Sequence, residues 1–132
     1  MTELPWSDPQ IKKIVDKITR ILKSQKIEPS LSSTRITSLN GDVVDYIKFL
    51  GTIDGKIKIG ISWNTRTDHI ELRITLYDVG EGREELVDLL ENMGAHIDFI
   101  DENMYITKKV PLNKLGEVEN IISEVISFLR ES

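Results

Sequence analysis

Apolar residues recur at helical spacing near the start of the chain. Ile11, Ile14, Val15, Ile18 and Leu22 lie three or four apart, while Lys12, Lys13, Asp16, Lys17 and Arg20 fill the opposite side, the pattern of an amphipathic helix with one buried face. Ser7-Asp8-Pro9-Gln10 marks its start, since Ser7 or Asp8 can cap free backbone N–H groups, Pro9 suits the first turn and Gln10 can close a capping box on Ser7. The helix is expected to end near Lys26. Pro29 and Ser30 to Thr34 read as a connection, with Arg35 to Leu39 as a short edge strand.

From Asn40-Gly41 onward the period changes from helical to alternating. Asp54-Gly55 separates two apolar runs in the manner of a tight hairpin. The second run sets Ile57, Ile59, Ile61 and Trp63 on one face and Lys56, Lys58 and Ser62 on the other. After the turn Asn64 to Asp68 the design repeats, with Ile70, Leu72, Ile74 and Leu76 opposed to Glu71, Arg73 and Thr75, as a sheet with one covered and one wet face requires. The first run departs from this rule. Val43, Val44, Tyr46, Ile47, Phe49 and Leu50 supply apolar groups to both sides, so both faces are expected to be covered there.

Gly80 and Gly82 precede a second helix, Arg83 to Met93, with Leu86, Val87, Leu89, Leu90 and Met93 on one wide apolar face and Gly94 at the left-handed stop position. Ala95 to Ile100 and Met104 to Val110 then read as a hairpin around Asp101-Glu102-Asn103, closed by Pro111. A last helix runs from about Asn113 to Arg130 on Leu115, Val118, Ile122, Val125 and Leu129, widened by Ile121, Ile126 and Phe128. The expected fold is α+β: an antiparallel β-meander and a C-terminal hairpin in one sheet, packed with three helices in the order α-β-β-β-α-β-β-α, as a single domain over residues 1–132.

This order over Ser7 to Arg130 resembles the type III secretion chaperone-like fold, shared by related bacterial sensory-regulator families. The likeness is strongest from Arg83 to Met93, through Gly94, Ile97, Phe99 and the acidic turn Asp98 to Asn103, to Val110 and Pro111-Leu112. It implies a secretion-chaperone-like architecture and a small acidic homodimer that binds unfolded stretches of client proteins. The longer connection from Glu28 to Asn40 departs from that outline and argues against a direct secretion role.

Length and charge narrow the classes. A chain of 132 residues buries roughly two-thirds of the surface its unfolded form exposes and needs no covalent staple. The absence of Cys removes disulfides, thiolate nucleophiles and zinc-thiolate sites and fits the cytoplasm. No basic region followed by an apolar stretch opens the chain, and no apolar run is long enough to span a bilayer, so neither export nor membrane insertion is expected. Seventeen Lys and Arg against 22 Asp and Glu give −5, a balance that opposes nucleic acid.

Catalytic chemistry finds little support. His69 and His96 have no His or carboxylate partner at metal-binding helical spacing, and Asp98, Asp101 and Glu102 lack the central Gly and distal Glu of a calcium loop; ordinary strand-end and turn roles are expected. Ser7, Ser62 and Ser123 have no nucleophile-elbow context, and Gly80 and Gly82 lack the rest of a dinucleotide loop. No catalytic residue, metal site or cofactor is assigned. Lys56, Lys58 and Arg73 can share the wet face of the meander, as a solubilising surface or against an acidic partner. Trp6 is expected to staple the first helix and Trp63 to join the core.

The remaining signal is apolar excess. The two-sided run Val43 to Leu50 and the wide faces of the last two helices exceed what a single core takes in, which points to an interaction surface. Candidate partner contacts are Leu86, Leu89, Leu90 and Met93 on the second helix and Tyr46 and Phe49 on the first run. The expected function is a non-enzymatic, chaperone-like or adaptor-like homodimer that binds a client protein segment. The alternatives are a regulatory or small-ligand-binding subunit of a larger complex, or an enzyme whose site assembles only in the fold.

Overall fold

The computed structural model describes residues 8–79 and 83–131. The roles expected of Trp6, Ser7, Gly80 and Gly82 fall outside them. Helix α1 (Pro9–Ser24) starts as its sequence requires: the Asp8 side chain accepts from the Gln10 and Ile11 backbone N–H groups at 2.8 and 3.4 Å, satisfying two donors that a first turn leaves open. Val15, Ile18, Ile21 and Leu22 form its buried stripe.

Six strands follow: β1 (Ser30–Thr37), β2 (Val43–Ile53), β3 (Ile57–Asn64) and β4 (His69–Leu76), then β5 (His96–Ile100) and β6 (Asn103–Pro111). They form one antiparallel sheet in the order β1-β2-β3-β4-β6-β5. Helix α2 (Glu84–Asn92) links β4 to β5, and helix α3 (Gly116–Glu131) closes the chain. Between β2 and β3 the three-residue turn Asp54-Gly55-Lys56 joins the paired Ile53 and Ile57, and Asp54 and Gly55 both take left-handed backbone angles, φ 51° and 67°, which Asp and Gly tolerate best.

The edge strand expected at Arg35 to Leu39 is present, but it starts five residues earlier and ends at Thr37. Ser30 to Thr34, read as a connection, belongs to β1, which pairs along its whole length with β2, Ser30 opposite Leu50 through Thr37 opposite Val43. The long connection expected from Glu28 to Asn40 is therefore an edge strand. Its Ser and Thr residues carry no alternation because neither of its faces is buried.

One core lies between the sheet and the helices. Ile47 and Phe49 of β2, Ile57, Ile59, Ile61 and Trp63 of β3, Ile70, Leu72, Ile74 and Leu76 of β4, and Met104, Ile106 and Val110 of β6 turn to the helix side and are buried. Leu86 and Leu90 of α2 and Val118, Ile121, Ile122 and Val125 of α3 cover them together with the α1 stripe. The wide stripe of α3 is thus largely absorbed internally, with Ile126, Phe128 and Leu129 packed at the margin of the core. Lys108 takes an inward position opposite Leu72. Its Nζ donates to the Met93 carbonyl at the end of α2 and lies 3.4 Å from a Glu117 carboxylate oxygen in the first turn of α3, tying the two helix ends to β6.

Candidate functional site

Because successive strand residues point to opposite faces, every inward isoleucine leaves a neighbour on the other side of the sheet. That outer face carries Val44, Tyr46, Lys48 and Leu50 of β2, Lys58, Gly60 and Ser62 of β3, Glu71, Arg73 and Thr75 of β4, Lys109, Thr107 and Tyr105 of β6, and His96 and Asp98 of β5. Among the described residues no helix packs on it, and the buried core belongs wholly to the opposite layer. Val44 and Leu50 are only half-buried and Tyr46 is 40% exposed. Both faces of the first meander run were expected to be covered; only the inner one is.

The centre of the bare face is a hollow of about 400 Å³ lined by Lys48, Leu50, Lys58, Ser62, Arg73, Thr75, Tyr105 and Thr107 around Gly60, with Tyr77 at its end. Three cations and no carboxylate line it. Arg73 is held by Glu71 at 2.7 Å, and Glu71 in turn stands directly opposite Lys109 on β6. The sheet thereby creates a charge segregation that is invisible along the chain: Lys48, Lys58, Arg73 and Lys109 share one face with Glu71 and Asp98, in a chain of net charge −5. Lys56, expected with them, lies in the turn before β3, where its carbonyl accepts from the Tyr77 N–H.

A second surface lies at the β5 edge of the sheet. β5 pairs only with β6, and Phe99 and Ile100 are 51% and 58% exposed. Edge strands are normally guarded by charge, proline or a bulge; β5, His96-Ile97-Asp98-Phe99-Ile100, carries one carboxylate, Asp98, among three apolar residues.

The residues expected to contact a partner divide between these environments. Leu86, Leu90 and Phe49 lie in the core, so docking onto the folded chain does not reach them. Met93 is half-buried at the end of α2 beside Lys108. Leu89, 39% exposed on α2, and Tyr46, on the bare face, are available. Phe99 and Ile100 escaped the sequence reading, although two adjacent large apolar residues before a polar turn are the signal that would have found them.

The histidines stand apart. His96 Nε2 lies 3.2 Å from Asp98 on the outer face of β5, and His69 Nδ1 lies 3.5 Å from Asp68 at the start of β4. No group of three or more His, Cys, Asp or Glu side chains able to hold a metal ion occurs among the described residues, nor does any helix long and apolar enough to cross a membrane. No family model, curated protein or solved structure matches the chain.

Proposed function

We propose that this chain is a non-catalytic protein-binding module, chaperone-like or adaptor-like, that receives a segment of a client protein on the bare face of its sheet. The observation that carries the reading is the sidedness of the fold: three helices cover one face of six strands, and the other keeps Val44, Tyr46, Leu50 and a polar hollow open. An antiparallel sheet tolerates one wet face, but a wet face used only for solubility does not require half-buried aliphatic side chains beside aromatic rings. The polar groups spread over an open surface instead of converging in a closed pocket, which favours binding over catalysis.

The module is proposed to act in the cytoplasm as a homodimer, a reading supported by the exposed Phe99 and Ile100 at the β5 edge. The likeness in element order to type III secretion chaperone-like proteins supports the same reading, with β1 as an added strand. A photo-crosslinking residue placed at Leu50 in the cells that make the protein is expected to trap discrete client adducts, and one at the exposed Asp16 of α1 is not. Equal labelling from both positions would remove the bare face as the working surface.

A further inference from the structure

Gly60 sits in the middle of β3, where a residue without a side chain weakens a strand and usually marks a close approach of something else. Its backbone does not take the left-handed angles seen at Gly41, Gly55 and Gly94, so conformation does not demand glycine. Packing does not demand it either: a Cβ at Gly60 would meet the Leu50 side chain at 3.5 Å, an ordinary contact, with the Arg73 carbonyl next at 4.0 Å. Gly51 on the neighbouring strand differs, since a Cβ there would fall 2.3 Å from Ile27 Cγ2. The gap at Gly60 opens only toward the bare face, at the centre of the hollow.

Around that gap the register fixes the charges. Leu50 and Arg73 stand directly across from Gly60, Lys58 and Ser62 lie two residues along β3 on either side, and Lys48 pairs with Ser62. Strand spacing of about 4.8 Å and a rise of about 3.4 Å per residue put the Lys58 and Arg73 Cα atoms roughly 8 Å apart, Lys48 and Arg73 roughly 12 Å and Lys48 and Lys58 roughly 14 Å. The Lys48–Lys58 separation matches two repeats of carboxylates on alternate residues of an extended chain, about 7 Å each, and Arg73 stands about 7 Å to one side of that line, within reach of its long side chain. Arg73 can exchange Glu71 for a partner carboxylate, because Glu71 keeps Lys109 across from it.

We infer that the bare face is shaped for an acidic, extended segment of a partner protein, whose backbone comes closest over Gly60 and whose carboxylates meet Lys48, Lys58 and Arg73. The inference rests on the protein-binding reading and names the chemistry of the client. Charge complementarity selects the occupant: three cations line the hollow without a carboxylate. A nucleic-acid strand offers similar local charge, but the net charge of −5 repels a long polyanion more than a segment with two or three carboxylates.

The test uses the full chain and a fluorescent ten-residue peptide alternating Glu with Val and Thr, beside its Gln counterpart, with anisotropy for affinity and backbone amide shifts for location. The Glu peptide is expected to bind at least tenfold tighter than the Gln peptide, to weaken about tenfold between 50 and 500 mM salt as exposed charge pairs are screened, and to shift amides of β2, β3 and β4. Lys58→Glu is expected to remove that preference. Gly60→Ala is expected to weaken binding several-fold without lowering the thermal midpoint, and Gly60→Val to weaken it further. Equal binding of Glu and Gln peptides on this face overturns the acidic-client inference and leaves the binding reading standing. Silence of the face toward acidic, neutral and apolar peptides alike overturns both. Displacement of the Glu peptide by an equally charged oligothymidylate at lower concentration assigns the face to nucleic acid and overturns the inference.

Discussion

Two glycines on adjacent strands illustrate how the same residue serves packing at one position and an open surface at another. Gly51 faces the helix layer, and Ile27, buried just after α1, occupies the space its side chain would need. Gly51→Ala forces that contact apart and is expected to destabilise the protein by about 1–3 kcal/mol, the usual range for an overfilled core. Gly60→Ala is expected to leave stability unchanged or raise it by up to about 1 kcal/mol, because glycine inside a strand is the weaker residue. Urea unfolding of the two variants checks the contrast; equal losses would mean that Gly60 is also a packing residue. Neither role is legible along the chain, because each depends on what lies across a strand or beneath a helix. The same holds for Lys108, whose partner Met93 is 15 residues away. The inward isoleucines of β3 and β4 are legible because alternation is a property of consecutive residues.

Elements with a buried face are the most readable, and those without one are read only in part or through the turns beside them. α1, β3, β4 and α3 each present an apolar stripe to one core, and their positions follow from it. Only the last part of β1, Arg35 to Thr37, is legible, because its eight residues, Ser-Leu-Ser-Ser-Thr-Arg-Ile-Thr, keep both faces largely in solvent; it is held by its ladder to β2 and by the Arg35–Asp45 pair at 2.8 Å. β5 reads correctly as a strand, but its position at an edge depends on the sheet order. Its two-residue turn makes Ile100 and Asn103 a hydrogen-bonded pair, so alternation leaves the N–H and C=O groups of Ile97 and Phe99 pointing to the free edge. Twofold pairing of β5 with a second copy about Asp98 then sets Ile97 against the other Phe99, and brings the two residues 98 to about 4.5 Å between Cα atoms, within reach of a disulfide. In a chain without cysteine, Asp98→Cys is expected to yield a cross-linked dimer on mild oxidation and His96→Cys is not. A monomer from both, or equal cross-linking from both, would exclude this pairing.

At the scale of the molecule, the fold class and the single core are readable from period and length, and the sidedness of charge is not. The lysines on the bare face come from separate strands, and only the register of the sheet brings them together. The strand order is equally hidden, because local pattern cannot say that the last strand slots between β4 and β5. That arrangement governs how the protein can be made. A chain growing from its N-terminus completes β4 with one side of that strand vacant, and the neighbour that fills the vacancy, β6, is synthesised only after α2 and β5. The unfinished product therefore holds Ile70, Leu72, Ile74 and Leu76 in an interrupted sheet whose helical lid lacks α3. Chains halted before residue 103 are expected to be cut readily by protease and those extended past residue 131 to resist, so β6 and α3 decide whether the strands made before them can settle.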